Sequence, residues 1–208
     1  MHLMSSSFAH GQRIPAEFAF CAPDPTQHVR LAPNRNPHLR WTGVPSTARS
    51  LVLLCIDSDV PTRAEDVNQE GRTVPADLPR TDFHHWVMVD IVPTASEVGA
   101  GSASDGVTAR GKRSPGGPAG ARQGINDYTG WFAGDADMNG KYFGYDGPCP
   151  PWNDARLHHY HFVLYATDLE RCPVDGEFTG PQVREAIARH VLAEARLTGT
   201  YTLNPAVR

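Results

Sequence analysis

Ser50-Leu51-Val52-Leu53-Leu54-Cys55-Ile56-Asp57-Ser58-Asp59-Val60-Pro61 is the stretch on which the fold turns. An unbroken apolar run that ends in acidic residues reads as a strand buried on both faces, here Ser50 to Asp57. Two further segments repeat the plan with polar residues at one end. His84 to Val92 alternates, with His85, Val87, Val89 and Ile91 on one face and His84, Trp86, Met88 and Asp90 on the other. His158 to Ala166 places His158, Tyr160, Phe162 and Leu164 on one face and His159, His161, Val163 and Tyr165 on the other. Glu17 to Phe20, His38 to Trp41 and Gly199 to Leu203 read as shorter strands.

One segment has helical spacing. Val183, Ile187 and Val191 recur every fourth residue, with Ala186 and Leu192 widening the stripe and Pro181 suited to a first turn. This predicts a helix from Pro181 to Leu197, followed by a short final strand. Pro61 to Asp82 and Gly99 to Gly124 read as long loops. The second, with Arg110, Lys112, Arg113 and Arg122, is expected to be solvated, mobile and dispensable for folding. Strands, long loops and one late helix define a mostly β chain, an antiparallel β-sandwich. No composition shift divides residues 1–208, so a single domain is expected.

Composition narrows the function. The chain of 208 residues has 19 basic and 23 acidic side chains, a net charge of −4, which speaks against a nucleic-acid partner. A 40% hydrophobic share excludes a disordered chain, and 19 Gly with 18 Pro argue for turns over a helical bundle. There is no apolar run long enough for a transmembrane segment and no secretory pattern at the N-terminus. Cys21, Cys55, Cys149 and Cys172 are far apart. They predict reduced thiols and a cytoplasmic location, without a disulfide framework or a structural zinc site.

Three polar clusters sit at strand ends: Asp57 to Pro61, Asp82 to Trp86, and Gly144 to Tyr160. If these ends meet, one rim gathers carboxylates, imidazoles and a phenol around a loop stiffened by Pro148, Pro150 and Pro151. Imidazole N–H groups donate to phosphate oxygens, and a carboxylate beside a ring favours its charged form. Such a rim suits a small anion, or a zwitterionic head group whose ammonium the carboxylate accepts. The expected arrangement has His85 and His158 holding the anion, Asp57 or Asp59 orienting one ring, Tyr160 supporting the wall, and a raised pKa for the imidazole beside the carboxylate. Cys149 would be a nucleophile only beside a base that lowers its pKa.

The clusters, in this order, resemble the phosphatidylethanolamine-binding proteins, also called Raf kinase inhibitor-like proteins. Asp57-Ser58-Asp59-Val60-Pro61 matches that family's Asp-Pro-Asp-Ala-Pro, Phe83-His84-His85-Trp86 its Trp-His-His block, and Gly147-Pro148-Cys149-Pro150-Pro151 with His158-His159-Tyr160 its Gly-x-x-Pro-Pro and His-Arg-Tyr. Asn36-Pro37-His38-Leu39-Arg40-Trp41 is similar to the bacterial branch, and the likeness runs from Phe8 to Leu203. It implies a β-sandwich of that type and a pocket drawing on Asp57, Asp59, His85, Gly147, Pro148, His158 and Tyr160. It also implies a cis bond at Val60–Pro61. Departures are Ser58 for proline, Phe83 for tryptophan, Trp152-Asn153-Asp154 in the pocket-mouth segment and His159 for arginine.

The leading function is therefore a non-enzymatic binding protein for phosphate or a phosphoethanolamine-like head group, with no cofactor. By family analogy it could modulate a protein partner, a kinase or protease. One alternative is a metal-dependent enzyme drawing on Asp57, Asp59, His84, His85, His158, His159 and His161. Another is a hydrolase with His85 or His158 as base. The sequence does not decide an oligomeric state.

Overall fold

The computed structural model describes residues 1–207. Its strands are β1 (His2–Met4), β2 (Cys21–Asp24), β3 (His28–Leu31), β4 (Leu39–Thr42), β5 (Ser50–Pro61), β6 (Arg80–Ile91), β7 (Glu97–Val98), β8 (Arg122–Gln123), β9 (His158–Thr167) and β10 (Val191–Tyr201). Two helices, α1 (Tyr128–Trp131) and α2 (Gly180–Ile187), and a 3₁₀ turn at Ala16–Phe18 complete the chain. The main sheet runs β10-β9-β5-β6-β8, a smaller one β1-β4-β7, and β2 pairs with β3; all pairings are antiparallel.

The apolar run of β5 is central and buried on both faces, as its composition demands. Leu51, Leu53 and Cys55 join the core shared with Leu3, Leu39 and Trp41 of the small sheet. Val52, Leu54 and Ile56 join a second core beneath Val183 and Ile187 of α2. Period-two alternation thus feeds two hydrophobic layers from one strand. Each Leu or Val so buried contributes roughly 1.5–3 kcal/mol relative to exposure.

Helix α2 starts where expected, with Thr179 and Gln182 forming a reciprocal capping box and Pro181 in its first turn. It ends after eight residues rather than running to Leu197. The remainder is strand: Ala195, Leu197, Gly199 and Tyr201 are buried at every second position along β9. Four-residue apolar spacing and two-residue spacing coincide at Val191, Ala195 and Gly199, which is why a helix fits the sequence pattern. Glu17 to Phe20 is likewise no strand, because Ala16–Phe18 forms the 3₁₀ turn.

Two irregularities in β6 and β5 aim the polar ends. Ile56 pairs with His84 while Cys55 pairs with Trp86, leaving His85 as an extra residue. This bulge shifts the alternation. Trp86, Met88 and Ile91 face the small sheet, Val87 and Val89 face α2, and His85 joins the Trp86 side instead of sharing a face with Val87 and Val89. A second register shift lies between Asp57 and Val60, where Asp57 Oδ1 accepts the Asp59 amide at 2.8 Å. β5 stays extended through Pro61, which pairs with Arg80, and no peptide bond among the described residues is cis, so Val60–Pro61 departs from the family expectation.

The cysteines also correct the sequence reading. Cys21 and Cys149 form a disulfide across 128 positions of sequence, while Cys55 and Cys172 are buried free thiols. Spacing along the chain carried no sign of this bridge, because the fold alone brings β2 to the proline-rich loop. The bridge takes two of the four thiols that the sequence reading expected to be reduced. Among the described residues no helix is long and apolar enough to cross a membrane.

Residues 99–124 are pinned rather than loose. Asn36 Oδ1 accepts the amides of Ala103 and Ser104, and Gln123 joins Trp86 Nε1 to the carbonyls of Pro115 and Gly116. Lys112 pairs with buried Asp146 at 2.8 Å, and Arg122 pairs with Asp90 at 2.6 Å. Two of the four basic side chains expected on a solvated surface are therefore structural anchors.

Candidate ligand site

The register of the main sheet brings the polar strand ends together. Asp57 of β5 lies opposite Phe83 of β6 and opposite Tyr160 of β9. A cavity of about 370 Å³ opens at this end, with Asp57, His85, His158 and Tyr160 in its lining. Its walls are mainly apolar: Phe20, Phe83, Tyr128, Phe132 and Pro150 among them. The Cys21–Cys149 bridge forms part of the same wall.

His158 is held at both ring nitrogens. Nδ1 lies 2.7 Å from Asp57 Oδ2, and Nε2 lies 3.1 Å from Asp154 Oδ2. Carboxylates only accept, so both nitrogens donate and the ring is an imidazolium. Burial opposes the charge, yet the Asp57 charge and the hydrogen bonds to Asp154 and Asp57 outweigh it and raise His158 to about 9. For Asp57, burial alone would raise the carboxyl; the His158 charge and hydrogen bond reverse this and hold it below the usual range. Asp154 behaves alike, its burial overcome by hydrogen bonds from His158 and from Arg80, which reaches it with two nitrogens at 2.6 and 3.0 Å. Two cations and two carboxylates cancel, so this network carries no net charge where Asp57 and His158 meet the cavity.

His85 is different. Its Nδ1 lies 2.7 Å from the Asp146 carbonyl oxygen, so Nδ1–H donates. Nε2 makes no hydrogen bond to any described residue. Phe83, Tyr128 and Tyr160 surround the ring at centroid distances of 4.9, 5.5 and 5.1 Å. Burial there pushes its pKa below the ordinary histidine value, and the opposing Asp57 charge and Asp146 hydrogen bond do not restore it. The ring beside the carboxylate is thus His158, whose pKa is raised, while that of His85 is lowered. Beside it, the Tyr160 hydroxyl is buried without a hydrogen-bond partner, and burial followed by the Asp57 charge pushes its phenol well above the usual value.

The other sequence candidates lie outside the cavity lining. Asp59 turns away across the bulge: Oδ1 is 2.7 Å from Arg156 Nε, and Oδ2 is 2.9 Å from His159 Nδ1. Gly147 and Pro148 stand behind the wall. The Gly147 amide donates to Asn34 Oδ1, and the Pro148 carbonyl accepts from Phe20 and Cys21. A Cβ at Gly147 would collide with the Phe18 carbonyl, so the loop approaches the 3₁₀ turn only with glycine there. His84 faces α2, with Nδ1 3.2 Å from Asp127 and its ring flat against Gly180. Among the described residues no three His, Cys, Asp or Glu side chains are grouped to hold a metal ion.

Asp146, Asp154 and Arg80 escaped the sequence reading. Both aspartates lie inside the Gly144 to Tyr160 cluster, and Asp154 precedes His158 by four residues, a usable signal. Arg80 had none. Asp146 accepts from Asn34, Asn126 and Lys112, and this network fixes the carbonyl that orients His85.

The family described as phosphatidylethanolamine-binding protein matches residues 4–202. A Chlamydia muridarum protein named UPF0098 is 31% identical over 201 residues, covering 97% of this chain and 98% of its own. UPF0098 protein YbcL of Escherichia coli is 30% identical over 172 residues, covering 82% of this chain and 73% of its own. The crystal structure of YbcL, described as a new member of the mammalian PEBP family, superposes with a TM-score of 0.68 at 26% identity, covering 97% of both chains.

Proposed function

The chain belongs to the phosphatidylethanolamine-binding protein family, and on that premise we propose that its cavity is a non-catalytic binding site for a small anion, phosphate or a phosphoethanolamine-like head group. The observation that carries this reading is the pair of polar atoms without a hydrogen bond, His85 Nε2 and the Tyr160 hydroxyl, beside ion-paired Asp57 and His158 in a mainly apolar cavity. A buried polar group without a partner costs about 1–3 kcal/mol, which a ligand atom would offset. Asp57 does not repel the anion because His158 matches its charge at contact distance. The apolar walls suit a ligand with a nonpolar portion beyond its head group. His158 preorganises the floor in this reading, while His85 and Tyr160 meet the ligand.

Calorimetric titration of phosphate and phosphoethanolamine tests the proposal. His85→Ala should weaken binding by roughly ten- to a hundred-fold, the worth of a hydrogen bond to a charged group. His159→Ala, paired with Asp59 away from the cavity, should leave affinity nearly unchanged. Absence of binding by the wild type, or equal binding by His85→Ala, would overturn the assignment.

A further inference from the structure

The hydrogen-bonding sense of His85 narrows the ligand further; the argument rests on the anion-site reading above. Asp146 offers His85 a carbonyl oxygen, which can only accept, so the proton of the neutral ring stays on Nδ1. Nε2 then presents a lone pair to the cavity. An anion such as sulfate also presents only lone pairs, and two acceptors in contact repel. We propose that the site selects anions that still carry a proton, hydrogen phosphate above all, over anions of the same shape and charge that have none, such as sulfate, with His85 Nε2 accepting the ligand's own O–H.

The surroundings decide whether the protein could supply that proton instead. Asp57 on β5, Asp127 before α1 and Asp146 in the adjoining loop favour a charged His85. Each of these carboxylates is already engaged: Asp57 with His158, Asp127 with His84, and Asp146 with Lys112. The imidazolium of His158, which also lines the cavity on β9, stands against a second cation. Tyr128 and Tyr160 are uncharged, and with Phe83 they exclude water from the ring. Burial therefore prevails, and His85 is neutral near neutral pH. A protonless anion must first charge this ring, whereas a hydrogen phosphate group brings the proton in its own O–H. The Tyr160 hydroxyl, which lies beside the Asp57 carboxylate without a well-formed hydrogen bond, supplies a donor for an unprotonated oxygen of the same group.

The experiment compares methylphosphonate, whose monoanion keeps an O–H, with methanesulfonate, equal in charge and close in shape but without one. Both are titrated into the intact protein from about pH 5 to about pH 7, a range that spans the ordinary histidine value and keeps the phosphonate mainly a monoanion. Near neutral pH methylphosphonate should bind at least about tenfold tighter, the consequence of leaving a buried acceptor against another acceptor. Methanesulfonate should gain affinity as pH falls and His85 charges, so the gap should narrow. Where both are dianions, hydrogen phosphate should likewise bind more tightly than sulfate. His85→Gln, whose amide can turn either a donor or an acceptor to the ligand, should bring the phosphonate-to-sulfonate ratio toward one. The wild-type ratio alone is decisive, so a poorly folded variant does not block the test. Equal binding of the two probes by wild type would overturn proton selection while leaving an anion site. Binding of neither probe would overturn the anion-site reading and this inference together.

Discussion

At the scale of single residues, His158 and His85 line the same cavity and both flank Tyr160, yet their pKa values shift in opposite directions. His158 is raised from 6.5 to about 9 because two carboxylates grip it. A raised folded-state value means the folded protein binds the proton more tightly than the unfolded chain. Its stabilisation is therefore complete below the unfolded value of about 6.5 and is lost as pH rises through about 9. The loss should be on the order of 3 kcal/mol, read as a falling urea midpoint between about pH 6.5 and 9. Asp57 reports the same contact from its other partner, so its lowered pKa adds no second increment. NMR titration of the imidazoles should show His158 charged at neutral pH and His85 uncharged. An alkaline stability profile flat across that window would contradict the doubly held ring. The sequence disclosed the identity of these residues but not their protonation, because protonation depends on Asp146 and Asp154. Those contacts come from a loop whose path has no local code.

Among the elements, the 99–124 segment carries the clearest test. Lys112 reaches Asp146 with only 11% of its side chain exposed, and it also donates to the Tyr145 carbonyl and Ser104 Oγ. Burial lowers its pKa, and Asp146 opposes the shift without cancelling it. Lys112→Met leaves Asp146 charged, buried and short of a counterion, a defect that costs about 3–5 kcal/mol in comparable pairs. The expected result is a lower denaturation midpoint and faster proteolysis within 99–124. An unchanged midpoint would return the segment to the status of a loose loop. Elements with strong internal patterning were legible from sequence: β9 to within one residue, and β5 at its start, although it runs four residues beyond Asp57 to Pro61. β6 was legible as a strand, but its faces were not, since the bulge at His85 depends on its pairing with β5. The helix was overextended because apolar residues four apart satisfy strand and helix periods alike. Pairing with β9 settles that ambiguity, and a partner strand is invisible in a local window.

On the scale of the whole molecule, the Cys21–Cys149 bridge closes a loop with a sequence separation of 128. Restricting an unfolded chain over that length is worth about 5 kcal/mol by the chain-entropy account, and loss of a native bridge in small domains costs about 2–5 kcal/mol. Cys149→Ser should lower the urea midpoint by a comparable amount, and reductant should do the same to wild type. Reductant should not lower the variant further, since Cys55 and Cys172 are unpaired. A wild-type midpoint indifferent to reductant would mean that the bridge contributes nothing. The long separations within this fold also have a consequence in time. Asp57 meets His158 across 101 positions, and Cys21 waits longer still for Cys149. During synthesis, β5 and β6 leave the ribosome well before β9 exists. Until β9 arrives, one edge of the most apolar strand in the chain is unpaired, and its terminal carboxylate has no imidazolium to meet. A nascent chain arrested in that interval exposes the kind of edge on which intermolecular pairing begins.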